Sequence, residues 1–177
     1  WREPPPVAGK PMLDTLRMRG PLVVVSGGGT GGHLYPALAI ADALREVRPD
    51  VHITFVGARR GLEARVLPER AEYHLLLPIS GFNRGRAMSL FPALVGLLVG
   101  LVRVIDFFRR YHPEVVVVTG GYAGAPAGIA AGLMGVPLVL QEQNSVPGIV
   151  TKLLTKVATR VHVAYPEVVH RLPLSAG

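Results

Sequence analysis

At 177 residues the chain is long enough for one domain with its own core. It has no cysteine, which excludes disulfides and thiolate metal sites, and its six histidines show no H-x-x-x-H pairing, so no metal and no cofactor is expected. Lys and Arg outnumber Asp and Glu by 19 to 12, a net charge of +7 that suits anionic partners. The basic residues fall in small groups without any nucleic-acid-binding motif, so no nucleic-acid partner is expected.

Residues 1–20 read as a disordered or extended tail, broken by Pro4-Pro5-Pro6 and Pro11 and without apolar periodicity. The tail lacks the apolar core of a secretory signal, so a cytoplasmic chain is expected, with Met12 and Met18 as candidate natural starts. A first strand, Leu22–Val25, runs into the five glycines of Gly27-Gly28-Gly29-Thr30-Gly31-Gly32 and then His33. A helix is expected to open at Pro36, where a missing N–H costs nothing, and to run over Ala37–Val47. Ala37, Ile40, Ala41, Leu44 and Val47 form its apolar stripe. A second strand, His52–Val56, is followed by a short helix, Leu62–Glu69, and a strand-like Tyr73–Pro78. The turn-rich segment Ser80–Arg86 precedes a long helix over about Leu90–Tyr111, and Val115–Val118 is the next strand. A second glycine turn, Thr119-Gly120-Gly121-Tyr122, opens a small-residue helix to about Met134. Strand Pro137–Leu140 meets the turn Gln141-Glu142-Gln143-Asn144, and a helix over Gly148–Ala158 and a strand over Arg160–Ala164 close the series. This alternation predicts an α/β domain over 21–170, a Rossmann-like doubly wound parallel sheet covered on both faces. Residues 171–177 read as the start of a linker or a truncated end.

The first loop has a ligand-binding character. Glycines let backbone approach a ligand without Cβ clashes, and the N–H groups of a following helix favour an anion. His33 is the side chain there that titrates near neutrality. Gly27, Gly29 and Gly32 satisfy the dinucleotide pattern G-x-G-x-x-G, but the second strand ends at Gly57 and Arg59-Arg60 instead of an acidic residue. A phosphate-binding loop of the Walker type needs Lys and Ser/Thr where His33-Leu34 stands. Val-Val-Val-Thr-Gly-Gly ahead of Pro126 echoes Val-Val-Val-Ser-Gly-Gly ahead of Pro36. Both glycine turns and the Gln-Glu-Gln-Asn turn follow strands, so all three are expected on the rim where open α/β sheets bind ligands.

These segments carry a resemblance. Gly-Gly-Gly-Thr-Gly-Gly-His-Leu-Tyr-Pro-Ala, Gly-Leu-Glu-Ala-Arg-Val-Leu-Pro at 61–68, Ile-Ser-Gly at 79–81, Thr-Gly-Gly-Tyr-Ala-Gly-Ala-Pro and Gln-Glu-Gln-Asn-Ser-Val-Pro-Gly resemble the MurG family of bacterial glycosyltransferases, in order, over roughly residues 20–170. Gln141 departs from the family, which often has His there. The resemblance implies the amino-terminal half of a two-domain GT-B fold whose active site lies between the domains. It implies transfer of N-acetylglucosamine from UDP-N-acetylglucosamine to lipid I, undecaprenyl-pyrophosphoryl-N-acetylmuramoyl-pentapeptide, giving lipid II for peptidoglycan synthesis. The carboxy-terminal half, which supplies most donor contacts in the family, lies outside this sequence, so negligible transferase activity is expected of residues 1–177 alone. Thr30, Gly31, Gly32 and Asn144 match donor-binding positions, and His33 matches the proposed general base of an inverting, metal-independent displacement. Gly28, Gly29, Gly120, Gly121 and Tyr122 would face the acceptor's pyrophosphate, with Glu142 there or ordering the neighbouring loop. Glu63 is expected in a fold-stabilising ion pair ahead of a substrate contact.

The run Leu90–Val102 is apolar all round, with Arg84 and Arg86 before it and Arg103, Arg109 and Arg110 after it. Because Arg103 and Asp106 break the run short of the roughly 20 residues of a span, peripheral attachment is expected over crossing. Phe91, Leu94 and Leu98, with Arg84 and Arg86, are the residues expected to contact an anionic membrane surface. The place implied is the cytoplasmic face of the bacterial plasma membrane. Two other functions compete: a non-catalytic lipid- or membrane-binding module, and another enzyme half on the same scaffold, such as a nucleotide-sugar epimerase.

Overall fold

Three consecutive valines, Val23-Val24-Val25, form the middle of β1 (Leu22–Ser26), buried throughout, as expected of a strand flanked on both sides within a parallel sheet. The computed structural model describes residues 20–81 and 90–173. The predicted tail except Gly20, the basic pair Arg84 and Arg86, and residues 174–177 lie outside that set. Along the chain follow α1 (Gly31–Val47), β2 (His52–Ala58), α2 (Glu63–Glu69), β3 (His74–Leu77), α3 (Leu90–Tyr111), β4 (Val115–Val118), α4 (Ala125–Met134), β5 (Leu138–Glu142), α5 (Ile149–Leu154) and β6 (Arg160–Val163). Short 3-10 turns cover Tyr122–Gly124 and Pro166–Arg171.

All six strands are parallel, in the order β3-β2-β1-β4-β5-β6. The chain winds outward from β1 to β3, then returns to the other side of β1 with β4. The reversal lies between β1 and β4, where doubly wound sheets open a crevice beyond their strand ends. Ser26 pairs with Val118, so the two glycine turns leave the sheet side by side.

One apolar cluster lies under α3 and α4 and includes Val24, Leu77, Val104, Phe108, Val116 and Leu140. The other lies under α1 and α2 and includes Val25, Leu34, Leu38, Phe55 and Leu67. The long helix α3 divides by face. Ala93, Gly96, Gly100, Val104 and Phe108 turn inward, and Gly96 and Gly100 let the helix approach Pro78 and Ile79. Phe91, Leu94, Leu98 and Val102 turn outward.

Several details differ from expectation, among them β2, which runs on to Ala58, and α5, which ends at Leu154 short of Ala158. The first helix begins at Gly31, five residues before Pro36, because extended Thr30 ends the loop and its carbonyl accepts from both His33 and Leu34 N–H. Glycines form helices poorly on their own, so tertiary contacts fix this turn. β5 runs on to Glu142, since Gln141 and Glu142 pair with His162 and Val163. Val47, the last member of the predicted stripe, is 77 % exposed because the helix end has run past the sheet.

Candidate functional site

Strand ends place the site. Gly27 directly follows β1, and Thr119 directly follows β4. The Thr119 N–H donates to Ser26 O at 2.9 Å, and its hydroxyl donates to His33 O at 2.7 Å. A side chain on Gly27 would overlap the Thr119 hydroxyl, so the two turns close on each other only because that position is glycine. Gly121 has φ +75° and a Cβ there would overlap Gly28 O. The echoed turns are therefore two sides of one contact.

His33 sits between them, on the first turn of α1. Its Nδ1 lies 3.0 Å from Thr119 O, and the ring packs against Gly120 and Gly121 closely enough to leave little room for a Cβ on either. Its Nε2 has no hydrogen-bond partner among the described residues. The N–H groups of Thr30, Gly31 and Gly32, at the positive end of a 17-residue helix, likewise have no partner among the described residues.

The β5 turn closes the third side. Glu142 is fully buried, and its carboxylate accepts from Asn144 N (3.0 Å), Asn144 Nδ2 (2.8 Å), Gly148 N (3.3 Å) and Thr151 Oγ1 (2.7 Å). It therefore orders the loop and orients exposed Asn144 from beneath. Of its two suggested roles, loop ordering is the one its contacts describe.

Glu63 is also fully buried, and the expected ion pair is replaced by backbone N–H groups. Ala58 N donates to Oε1 at 2.7 Å, and Gly29 N approaches Oε2 at 2.9 Å and Oε1 at 3.2 Å. Side chains on Gly28 or Gly61 would overlap this carboxylate and one on Gly57 would overlap the Glu63 Cγ, so three glycines form the seat of the side chain. A charge-assisted bond to an N–H can replace a cationic partner when the surrounding backbone is preorganised. Gly29 consequently spends its N–H on Glu63, and Gly28 packs against the same group. Tyr122 covers this region with its ring against Gly29 and Gly81; burial, with Glu63 nearby, pushes its phenol above the ordinary tyrosine range.

Sequence reasoning missed Gln143 as a side chain of consequence. Its amide nitrogen lies 2.8 Å from Gly32 O, 3.0 Å from Thr119 O and 2.7 Å from His33 Nδ1. A signal was present in Pro36: inside α1 it cannot donate to Gly32 O, so that carbonyl needs another donor.

The chain matches the Glycosyltransferase family 28 N-terminal domain over residues 23–163. It is 44% identical over 154 residues to the UDP-N-acetylglucosamine--N-acetylmuramyl-(pentapeptide) pyrophosphoryl-undecaprenol N-acetylglucosamine transferase of Moorella thermoacetica, covering 87% of this chain and 42% of that protein. It is 45% identical over 150 residues to the same-named protein of Chlorobium luteolum, covering 82% of this chain and 41% of that one. The chain thus spans about two-fifths of the length of the curated relatives it matches. Among solved structures it resembles MurG of Acinetobacter baumannii, with a TM-score of 0.72 and 29% identity over 83% of this chain and 42% of that one. A likeness to the UDP-GlcNAc 2-epimerase of Methanocaldococcus jannaschii, TM-score 0.58 at 16% identity over 82% of this chain and 40% of that one, is one of fold alone. A doubly wound sheet, two abutting glycine turns and this match over most of the chain lead to one conclusion: the chain belongs to glycosyltransferase family 28 and carries its N-terminal domain.

Proposed function

We propose that this domain is the acceptor-binding half of an inverting transferase that moves N-acetylglucosamine from UDP-N-acetylglucosamine to lipid I. The observation that carries the reading is His33, held at Nδ1 between two glycine turns while its Nε2 stays unpaired on the rim. In this mechanism the acceptor sugar hydroxyl attacks the anomeric carbon of the donor from the face opposite the leaving group. As the new C–O bond forms, the bond to UDP breaks and UDP leaves with the electron pair. The hydroxyl proton passes to His33 Nε2. General-base assistance of this kind contributes about 10²–10⁴-fold.

The unpaired N–H groups of Thr30, Gly31 and Gly32 suit developing negative charge on the leaving diphosphate, and Asn144 reaches the donor from the β5 turn. Gly120, Gly121 and Tyr122 face the acceptor's pyrophosphate. Gly28 and Gly29 shape that wall through Glu63, and Glu142 supports Asn144. A second half supplies the remaining donor contacts, so the described domain alone turns over negligibly.

The outer face of α3 serves as a peripheral membrane contact at the cytoplasmic surface, where a polyprenyl-linked acceptor resides. Phe91, Leu94, Leu98 and Val102 are exposed together, Phe91 by 75 %. Among the described residues, α3 is the one helix long and apolar enough to cross a membrane by length and composition. Its inner face packs through Val104, Phe107 and Phe108 into the core, which favours lying on the bilayer over spanning it.

The test is turnover in a protein that joins this domain to its donor-binding half. His33→Ala is expected to lower kcat by about 10²–10⁴-fold while binding of a soluble lipid I analogue stays within about threefold. Retention of turnover within tenfold refutes the general-base role. Absence of binding of the lipid I analogue to the unsubstituted joined protein refutes the acceptor assignment.

A further inference from the structure

Three arginines where β2 passes into α2 differ from their neighbours on the same side of the sheet. Arg45, Arg48 and Arg70 are each paired with a carboxylate of Asp42, Asp50 or Glu72. Arg59, Arg60 and Arg65 are exposed and form no ion pair among the described residues, even though Glu69 lies one turn on from Arg65 in α2. Arg59 is held at its base: its N–H donates to Leu77 O at 2.9 Å and its Nε to Leu76 O at 3.3 Å. The two terminal nitrogens of Arg59, and the guanidinium groups of Arg60 and Arg65, have no acceptor among the described residues.

This cluster adjoins the first glycine loop. The Glu63 carboxylate accepts from Ala58 N at 2.7 Å and from Gly29 N at 2.9 Å, so one buried side chain ties the β2 turn to that loop. A Cβ on Gly31 would lie 3.2 Å from the ring of Tyr35, which is 59 % exposed, and 3.8 Å from Leu62 Cδ2. The first turn of α1 and the segment that carries Arg60 therefore meet beside Gly31. Since α1 and α2 cover one face of the sheet and α3 and α4 the other, Arg65 sits on the face opposite the apolar residues exposed on α3.

We propose that Arg59, Arg60 and Arg65 form a subsite for the terminal carboxylate of the acceptor's peptide. This subsite rests on the reading of the domain as the acceptor-binding half. With the polyprenyl chain at α3, the pyrophosphate at Gly120, Gly121 and Tyr122 and the sugar hydroxyl at His33, the acceptor crosses the rim from one face of the sheet toward the other. Its peptide continues past His33 to the α1 and α2 side, away from a bilayer that α3 contacts. Five extended residues reach up to about 17 Å, enough to carry the carboxylate beyond the loop to the arginines. The Tyr35 ring lies between, where an exposed aromatic side chain packs against peptide groups. A planar guanidinium takes a carboxylate through two parallel N–H···O bonds. A lone exposed ion pair contributes little, whereas several charges around one anion act as a network.

The test compares two soluble lipid I analogues, one with a free peptide carboxylate and one with that terminus amidated, as ligands of the protein joined to its donor-binding half. The unsubstituted protein is expected to bind the carboxylate about tenfold more tightly. Replacing all three residues together, Arg59→Gln, Arg60→Gln and Arg65→Gln, is expected to bring the two affinities within about twofold of each other. Arg60→Glu with Arg65→Glu is expected to reverse the preference, since like charges then face each other. Equal binding of the two analogues by the unsubstituted protein overturns the proposal, and that comparison needs no variant to fold. An equal loss for both analogues in the arginine variants also overturns it, and would place the pyrophosphate on this cluster. Unchanged binding of both analogues, with a loss only in sedimentation with phosphatidylglycerol-containing vesicles, overturns it too and would assign the arginines to lipid. Binding of neither analogue by the unsubstituted protein refutes the acceptor reading itself, and the peptide subsite with it.

Discussion

Glu63→Gln and Glu63→Ala probe the buried carboxylate on which the first glycine loop rests. Oε1 accepts from Ala58 N and from the more distant Gly29 N, while Oε2 accepts from Gly29 N alone. Glutamine fits the same seat between Gly28, Gly57 and Gly61, and its oxygen takes the Oε1 position, where the shorter bond lies. Its NH2 group then confronts the Gly29 N–H, which exchanges its 2.9 Å acceptor for a repelling donor and keeps only the longer 3.2 Å approach to an oxygen it shares with Ala58 N. An unsatisfied buried donor costs about 1–3 kcal/mol. At about 2–4 °C per kcal/mol for a chain of this size, Tm is expected to fall by about 2–12 °C. Alanine removes both acceptors, so its cost is about 2–6 kcal/mol. The opposing effect is desolvation of a buried charge, which glutamine relieves. Thermal unfolding by circular dichroism at neutral pH, with denaturant midpoints as a second measure, separates the two. A Glu63→Gln chain as stable as the wild type, or more so, would show that desolvation outweighs the charge-assisted bonds and refute the seat as a net stabilising feature.

Other consequences are as direct. Gly121→Ala forces a side chain onto φ +75° and against Gly28 O, so a loss of more than about 2 kcal/mol is expected in denaturant unfolding, with the His33 resonances displaced. Burial, then the nearby Glu63 charge, raises the Tyr122 pKa from its ordinary 10.0. Folding holds that proton more tightly than unfolding does, so this contribution to stability is intact below pH about 10 and declines as pH rises through the raised value. Burial raises the Tyr73 phenol as well, so ultraviolet titration is expected to show two late tyrosines, of which the one that moves toward the ordinary range in Glu63→Gln is Tyr122. Phe91→Ser with Leu98→Ser removes two exposed apolar side chains from α3. At about 1.5 kcal/mol each, binding to phosphatidylglycerol-containing vesicles is expected to weaken roughly 100-fold with Tm unchanged; undiminished sedimentation with vesicles would refute the membrane contact.

The sequence by itself determined the layering of this domain. Buried valine runs at β1 and β4, glycine turns after them and apolar stripes between them allow little besides a parallel sheet with helices on both faces, because each element must hide an apolar face and parallel strands need crossovers. It also marked His33 and the two glycine turns, since so many glycines at strand ends serve close approach. Tertiary structure alone decided how those marks are used. Neighbouring β1 and β4 brought together turns nearly a hundred residues apart in sequence. The expected partner of Glu63 proved to be backbone N–H groups, a choice invisible in residue types because every residue but proline carries the same donor. Gln143 became significant through the carbonyl that Pro36 leaves free on Gly32, a vacancy local in sequence whose remedy arrives from another strand. Hydrophobic pattern is periodic and therefore legible along the chain. Hydrogen-bond partnership between distant segments depends on register and strand order, which exist only after the sheet has formed.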